Sequence, residues 1–424
     1  VERGSVFFRF NRGNLIQIAT TNIAPIVVDP NPALDLKAAR AVVAGYLGPF
    51  DVGADTFVDK GSLAIVPVTP AGQDPDAFRG PYAGGLGYRL VWRIAFARDG
   101  VIGTWQALVD AHSGELLRFV DLNRYGRVHG GAYPGDNHTG EADRPFAFVD
   151  VGGGQYADAG GLFPGDSATV TLQGRYAWVD DGCGPINGTT TTGDVDFMVG
   201  PLGQQDCSVP AGNTAGPGNT HSARTQYYHV TAINTKARTF MPNNSWLNND
   251  HMNINTNGDP WCNATSGGGS INFYKSASGC WNLGELPAVS LHEWGHSMDD
   301  FDGSGGDSPP VETRADWTAM LQTHDSCVGR GFFLSGSCSG YGDACLDCSG
   351  VRDNDWAMHE TNTPWTPANH GTFWSCSGGS YFGPCGLEDH CEAGLSTQAL
   401  WDFVTRDAIG APTNLDLATA WSLA

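Results

Sequence analysis

Residues 291–316 read LHEWGHSMDDFDGSGGDSPPVETRAD, a stretch that contains the motifs HEWGH and ETRAD. Its first part, HEWGH at 292–296, has the H-E-x-x-H pattern. On a helix, side chains four residues apart share one face, so His292 and His296 can direct ring nitrogens at one metal ion. Glu293 reaches the same cleft without being a ligand. Neutral imidazoles suit zinc, and a catalytic zinc site has three protein ligands and a water, so a third ligand is needed.

Glu312 is the first candidate for the third ligand. It begins ETRAD at 312–316, in which a Glu and an Asp are one helical turn apart and face the same side. Glu312 would then bind the metal, and Asp316 would accept the second ring N–H of His292 and fix its tautomer.

Asp302 is the alternative third ligand, as in metzincin-type proteases. That pattern requires Gly at position 299, where this chain has Asp, and a Met-turn, for which Met358 is a weak match. The fit to the motifs therefore favours Glu312.

Length and charge limit the classes of protein that remain. With 424 residues the chain can bury several cores, so we expect a multidomain α+β protein. It contains no apolar run of about 18 residues that could span a membrane. Its 23 Lys and Arg against 45 Asp and Glu give a net charge of −22, which disfavours nucleic acid and anionic lipid as partners.

The 11 cysteines all lie between Cys183 and Cys391. This density predicts disulfides, an oxidising compartment and a secreted protein. An alternative is a small structural zinc site made by Cys345-x-x-Cys348 together with Cys338 and Cys376.

Pattern and composition predict three regions. Residues 1–124 contain strand-like segments and one helix at 34–47, which predicts a curved antiparallel sheet packed on that helix. Residues 125–300 form a β-rich lobe that ends with the H-E-x-x-H helix. Residues 301–424 form a mainly helical, disulfide-rich lobe, and the chain stops inside a helical pattern, which suggests a longer polypeptide.

Four helices are predicted in the second and third regions. The first covers 220–240 with Thr220 as its N-cap, and the others cover 286–300, 308–324 and 395–408.

Taken together, these motifs resemble the gluzincin zinc metallopeptidases of the thermolysin-like and fungalysin-like branch. Asn263-Ala264 before the strand INFYKS resembles that family's edge strand, whose backbone pairs with an extended peptide. His390 begins a segment that resembles the family's downstream His-x-x-x-Gly-Ile. Residues 1–124 resemble its cystatin-like propeptide, including the hairpin from Val109 to Glu115.

The resemblance implies a secreted zinc endopeptidase made as a zymogen, which acts on protein or peptide substrates and binds its own propeptide. It implies that Glu293 is the general base and acid, that His390 stabilises the oxyanion, and that Asn263 and Ala264 bind substrate. From a different class, the chain could be a non-catalytic structural or assembly subunit on a protease scaffold.

The chain departs from the family pattern in two places. The family's tyrosine between the zinc helix and the third ligand is absent from 297–311, and Tyr381 is the substitute we consider. The acid that orients the late histidine would stand at Cys385, so Asp389 or Glu388 would have to replace it.

Two groups of aspartates could bind calcium, because carboxylates in flexible loops suit this ion. The alternative for both is a solvated acidic surface. One group is Asp299, Asp300, Asp302 and Asp307, and the other is Asp343, Asp347, Asp353 and Asp355.

Overall fold

The computed structural model describes most of the chain as two compact units, residues 1–124 and 125–424. The described residues are 5–21, 27–51, 53–68, 87–98, 101–200, 206–303, 311–334, 348–355 and 389–405. The predicted domains, including the assignment of residues 1–124 as a propeptide, stay predictions.

The first unit is a four-stranded antiparallel sheet packed on one helix. Helix α1 covers Leu36–Leu47 and begins at Asp35, whose carboxylate accepts the Ala38 backbone N–H at 2.7 Å. Ala39 and Val43 of α1 lie in a core with apolar side chains of the two middle strands, as the apolar spacing predicts. The sheet has the order β3-β4-β5-β6, with β3 at Asp55–Val68, β4 at Gly87–Arg98, β5 at Val101–Asp110 and β6 at Leu116–Asp121.

A separate hairpin precedes this sheet. Strand β1 covers Ser5–Asn11 and pairs antiparallel with β2 at Asn14–Thr21. Gly13 in the turn has φ of +80°, a value that glycine adopts without steric cost.

The second unit starts with short strands around β7. One sheet has the order β13-β7-β8, β9 also pairs with β7, and β10 pairs with β12. These strands are β7 Tyr125–Ala132, β8 Ala142–Pro145, β9 Leu162–Pro164, β10 Ala168–Val170, β12 Gly188–Thr190 and β13 Val195–Asp196.

A four-stranded sheet of order β11-β14-β16-β15 follows. Its strands are β11 Ala177–Asp181, β14 Met252–Gly258, β15 Ala264–Gly267 and β16 Ser270–Tyr274. β15 runs antiparallel to β16, and no other described strand pairs with it. It is therefore an edge strand, the position predicted for the segment after Asn263.

The helices of the second unit share one hydrophobic core with its strands and loops. They are α2 His221–Phe240, α3 Ser245–Asn249, α4 Pro287–Phe301, α5 Val311–Thr323 and α6 Asp389–Thr405. Thr220 caps α2, as predicted, by accepting the Ala223 backbone N–H at 3.1 Å. α6 begins six residues before the predicted start at 395, so His390 lies in its first turn. The two-lobed arrangement of this unit stays a prediction.

Three disulfides connect described residues of the second unit: Cys183–Cys207, Cys262–Cys280 and Cys327–Cys348. The alternative of a structural zinc site at Cys345 and Cys348 is wrong for Cys348, because its sulfur is bonded to Cys327. Cys345, Cys338 and Cys376 lie outside the described residues. None of the helices in the described ranges has the length and hydropathy needed to cross a membrane.

Candidate metal centre

The predicted metal residues lie on two helices that pack closely together. α4 begins with Pro287 in its first turn, where the missing N–H costs no hydrogen bond. Gly295 in the HEWGH motif permits the close packing, because a Cβ at this position would lie 2.7 Å from Cα of Ala315 on α5. The contact brings Glu312, in the first turn of α5, next to the two histidines of α4.

His292, His296 and Glu312 form a group whose ligand atoms all lie within 4.8 Å of one another. Nε2 of His292 is 3.2 Å from Nε2 of His296 and 3.1 Å from Oε2 of Glu312. Nε2 of His296 is 3.5 Å from Oε1 of Glu312. A tetrahedral ion with bonds of 2.0–2.1 Å places its ligands about 3.3 Å apart. The three side chains therefore fit one small divalent ion without rearrangement.

Asp316 lies behind the first histidine, as the E-x-x-x-D spacing predicts. Its Oδ1 is 2.9 Å from Nδ1 of His292, and its side chain is completely buried. If the carboxylate accepts the Nδ1 proton, Nε2 of His292 keeps a lone pair that faces the proposed ion. The pair thus selects the tautomer that can bind a metal.

Arg352 is a residue of this centre that the sequence did not reveal. Its Nε and Nη2 donate to the two oxygens of Asp316 at 2.6 and 2.7 Å, and Nη2 is 3.3 Å from Oε2 of Glu312. A planar guanidinium matches a carboxylate in this two-pronged way. Arg352 belongs to a two-residue strand, β18 at Arg352–Asp353, which pairs with β17 at Cys327–Val328. The only signal in the sequence is one basic residue in an acidic loop.

Glu293 is buried on α4 directly beside His292. Burial raises the pKa of its carboxyl group to about 7, although the neighbouring charge of His292 opposes this effect. A carboxyl group in such surroundings can accept and release a proton near neutral pH.

The two histidines have opposite pKa shifts. Burial by itself would lower the pKa of His292, but hydrogen bonds to Asp316 and Glu312 outweigh it and raise the pKa to about 10. Burial and the nearby charge of His292 lower the pKa of His296 to about 4. The pKa of Glu312 is held well below its ordinary value, because the interaction with His292 outweighs the effect of burial. Near neutral pH the histidine pair therefore carries one positive charge, on His292. A bound cation can take the place of this charge.

His390 reaches this centre from α6. Its Nε2 is 3.1 Å from Oε1 of Glu312, and about 30 % of its side chain is exposed. A histidine that contacts Glu312 and is partly exposed to solvent can contact a bound substrate. Asp389, which the sequence suggests as an orienting acid, is buried in the same turn, whereas Glu388, Cys385 and Tyr381 lie outside the described residues.

Asp302, the alternative third ligand, does not belong to the group formed by His292, His296 and Glu312. It follows the last residue of α4, and its Oδ2 is 3.2 Å from Nη1 of Arg314. Asp299 also pairs with Arg314. Arg314 thus neutralises part of the charge of the aspartate group at 299–307, one of the two groups considered for calcium. Asp307, Asp343, Asp347 and Met358 lie outside the described residues.

Strand β15, the predicted substrate strand, contacts helix α4, which carries His292 and His296. Ala264 is the first residue of β15 and Asn263 precedes it, both at the free edge of the sheet. Oγ of Ser266 on β15 is 2.8 Å from Oγ of Ser297 on α4. The edge strand is therefore in direct contact with α4, the helix that carries His292 and His296.

Comparisons with known proteins add little to this description. No family model matches the chain, and no curated protein matches it. Among solved structures, one match is the precursor of protealysin, a metalloproteinase from Serratia proteamaculans, with 12 % sequence identity and a TM-score of 0.31. The match covers 43 % of this chain and 59 % of that one, so this chain spans less than two thirds of the matched protein.

Proposed function

We propose that this chain is a secreted zinc-dependent endopeptidase that is made as a zymogen. The observation that carries the proposal is the convergence of His292, His296 and Glu312 at the spacing of a tetrahedral ion, with Glu293 buried beside them. Two imidazoles and one carboxylate leave the fourth position open, which is characteristic of catalytic rather than structural zinc. The disulfides agree with an oxidising compartment.

In this proposal a bound zinc ion supplies Lewis acidity, which polarises the scissile carbonyl and makes water easier to deprotonate. Glu293 accepts the proton of the attacking water and later gives it to the leaving amine. His390 donates a hydrogen bond to the developing oxyanion, and one such donor contributes about 3 kcal/mol to the stability of a transition state. Asp316 and Arg352 keep His292 and Glu312 in place through hydrogen bonds.

The substrate in this proposal is an extended peptide that pairs with the free edge of β15 next to Asn263 and Ala264. An edge strand presents unpaired N–H and C=O groups, and an added strand satisfies them. The contact between β15 and α4 supports this placement, because a peptide on that edge lies beside the helix that carries His292 and His296.

Residues 1–124 act in the proposal as an inhibitory propeptide. The cleavage site would be at Arg124, which is exposed directly before β7, and cleavage there should increase activity. If the intact chain is as active as the cleaved one, the zymogen part of the proposal fails and the peptidase part is unaffected.

Two other functions remain to be compared by experiment. A metzincin-type protease that uses Asp302 is disfavoured, because Asp302 is outside the group of His292, His296 and Glu312 and pairs with Arg314. A non-catalytic assembly subunit would keep the fold without hydrolysing peptides.

The test compares wild type with Glu293→Gln in casein hydrolysis, with zinc content measured in both. We expect equal zinc content, loss of hydrolysis in the variant, and loss of hydrolysis in wild type after chelation. A Glu293→Gln variant that still cleaves casein would refute the catalytic assignment. A zinc-loaded, folded and proteolytically activated wild type without activity would instead support the assembly subunit.

A further inference from the structure

Trp261 is a large apolar side chain exposed beside the proposed substrate strand. Half of its surface is accessible to solvent, and it lies three residues before Ala264, the first residue of β15. Its ring meets the edge of Tyr274 on β16, with centroids 5.0 Å apart and planes at 68°. An indole left in water at this place can bury its free surface against a ligand.

A disulfide fixes the backbone next to Trp261. Cys262 is bonded to Cys280, which is completely buried in the core of the second unit. Cys280 also forms backbone bridges to Ala277 and Phe333. The N-terminal end of β15 is thus tied to the core, although the strand has only four residues.

We infer that Trp261 determines specificity by contacting an apolar side chain of the peptide that pairs with β15, and that the Cys262–Cys280 bond holds it in position. This inference rests on the proposed function. A peptide extended along the edge of β15 continues past Asn263 toward Trp261. Trp261 precedes Ala264 by three residues, with a bend at Cys262, so the contacted side chain lies about three positions or fewer from the one opposite Ala264.

Peptide chemistry favours an apolar partner at this position. The indole of Trp261 packs against the aromatic ring of Tyr274, and neither side chain is charged. Leucine, phenylalanine or methionine would therefore bury the most area against it. Truncation of such an anchor commonly costs tenfold or more in binding.

The experiment measures the cleavage profile of a peptide library and the kinetics of the best peptide for the full chain, before and after limited proteolysis. Trp261→Ala should lower kcat/KM about tenfold through KM, with kcat and zinc content retained, and should flatten the preference at one peptide position. Trp261→Phe should restore that preference. Trp178→Ala is the matched control, because Trp178 is 40 % exposed on β11, three strands from β15 in the same sheet.

The Cys262→Ser, Cys280→Ser double variant should share the raised KM and the flattened preference. Unchanged kinetics in this folded double variant would overturn the anchoring role of the disulfide. An unchanged profile in Trp261→Ala, or an equal loss in Trp178→Ala, would overturn the inference while the peptidase assignment stands. A wild type that cleaves no peptide in the library would overturn both the proposed function and the inference.

Discussion

Replacement of Arg352 by methionine is the perturbation whose effect follows most directly from the contacts at the centre. The guanidinium makes two charge-assisted hydrogen bonds to Asp316 and a longer one to Glu312, and only 5 % of the Arg352 side chain is exposed. Methionine fills a similar volume but leaves the buried Asp316 without this partner. Removal of one member of a buried ion pair costs about 3–5 kcal/mol of unfolding free energy. We expect a loss in this range for the unit that contains the centre.

Arg330→Met is the matched control for this effect. Arg330 also binds one carboxylate twice, since its Nε and Nη2 lie 2.6 and 2.8 Å from the oxygens of Asp325. About a third of its side chain is exposed, however, and an exposed pair contributes about 1 kcal/mol or less. The control therefore makes the same change of side chain, but the ion pair that it removes is more exposed to solvent.

The assay is denaturant unfolding of the metal-free full chain, together with a zinc titration of each variant. Arg352→Met should also weaken metal binding about 10- to 100-fold, because it removes a hydrogen-bond partner of Asp316 and Glu312. The reasoning is refuted if Arg352→Met costs no more than Arg330→Met and binds zinc as tightly as wild type.

Two further predictions concern the free energy of unfolding, one at His229 outside the centre and one at Gly295 on α4. His229 is buried with Nε2 2.7 Å from the Tyr133 carbonyl oxygen, and burial lowers its pKa to about 4, so the unfolded chain binds the proton more tightly. His229 alone should therefore contribute a loss of about 2 kcal/mol of stability from pH 8 to pH 5, which the His229→Gln variant should lack; parallel pH profiles of the two proteins would contradict it. Gly295→Ala should destabilise the chain by about 1–3 kcal/mol, because its Cβ would lie 2.7 Å from the Ala315 Cα. Gly45→Ala, at an exposed helical site with open space, should instead stabilise it by about 0.5–1 kcal/mol in thermal unfolding, and the same sign for both would exclude the packing argument.

The convergence of the candidate metal ligands could be predicted from the sequence because helical periodicity relates them. HEWGH and ETRAD each place two functional side chains on one helical face, and the structure brings both faces together. The 220–240 helix was predicted for a similar local reason, since Thr220 caps it and basic residues lie toward its end.

Arg352 could not be predicted, because its partner Asp316 lies 36 residues earlier and no periodic pattern connects them. The pairing of the cysteines is equally non-local, as is the contact of His390 with Glu312. The start of α6 was placed too late, at 395, since the acidic first turn at Asp389 and Glu392 was not recognised as a helix N-terminus.

The measurement that tests the central claim most directly is the zinc stoichiometry of wild type, Glu312→Ala and Asp302→Ala, with all three proteins shown to be folded. We expect one zinc ion per chain in wild type and in Asp302→Ala, and loss of zinc in Glu312→Ala. Zinc retained by Glu312→Ala, or lost from Asp302→Ala, would contradict the assignment of His292, His296 and Glu312 as the metal ligands.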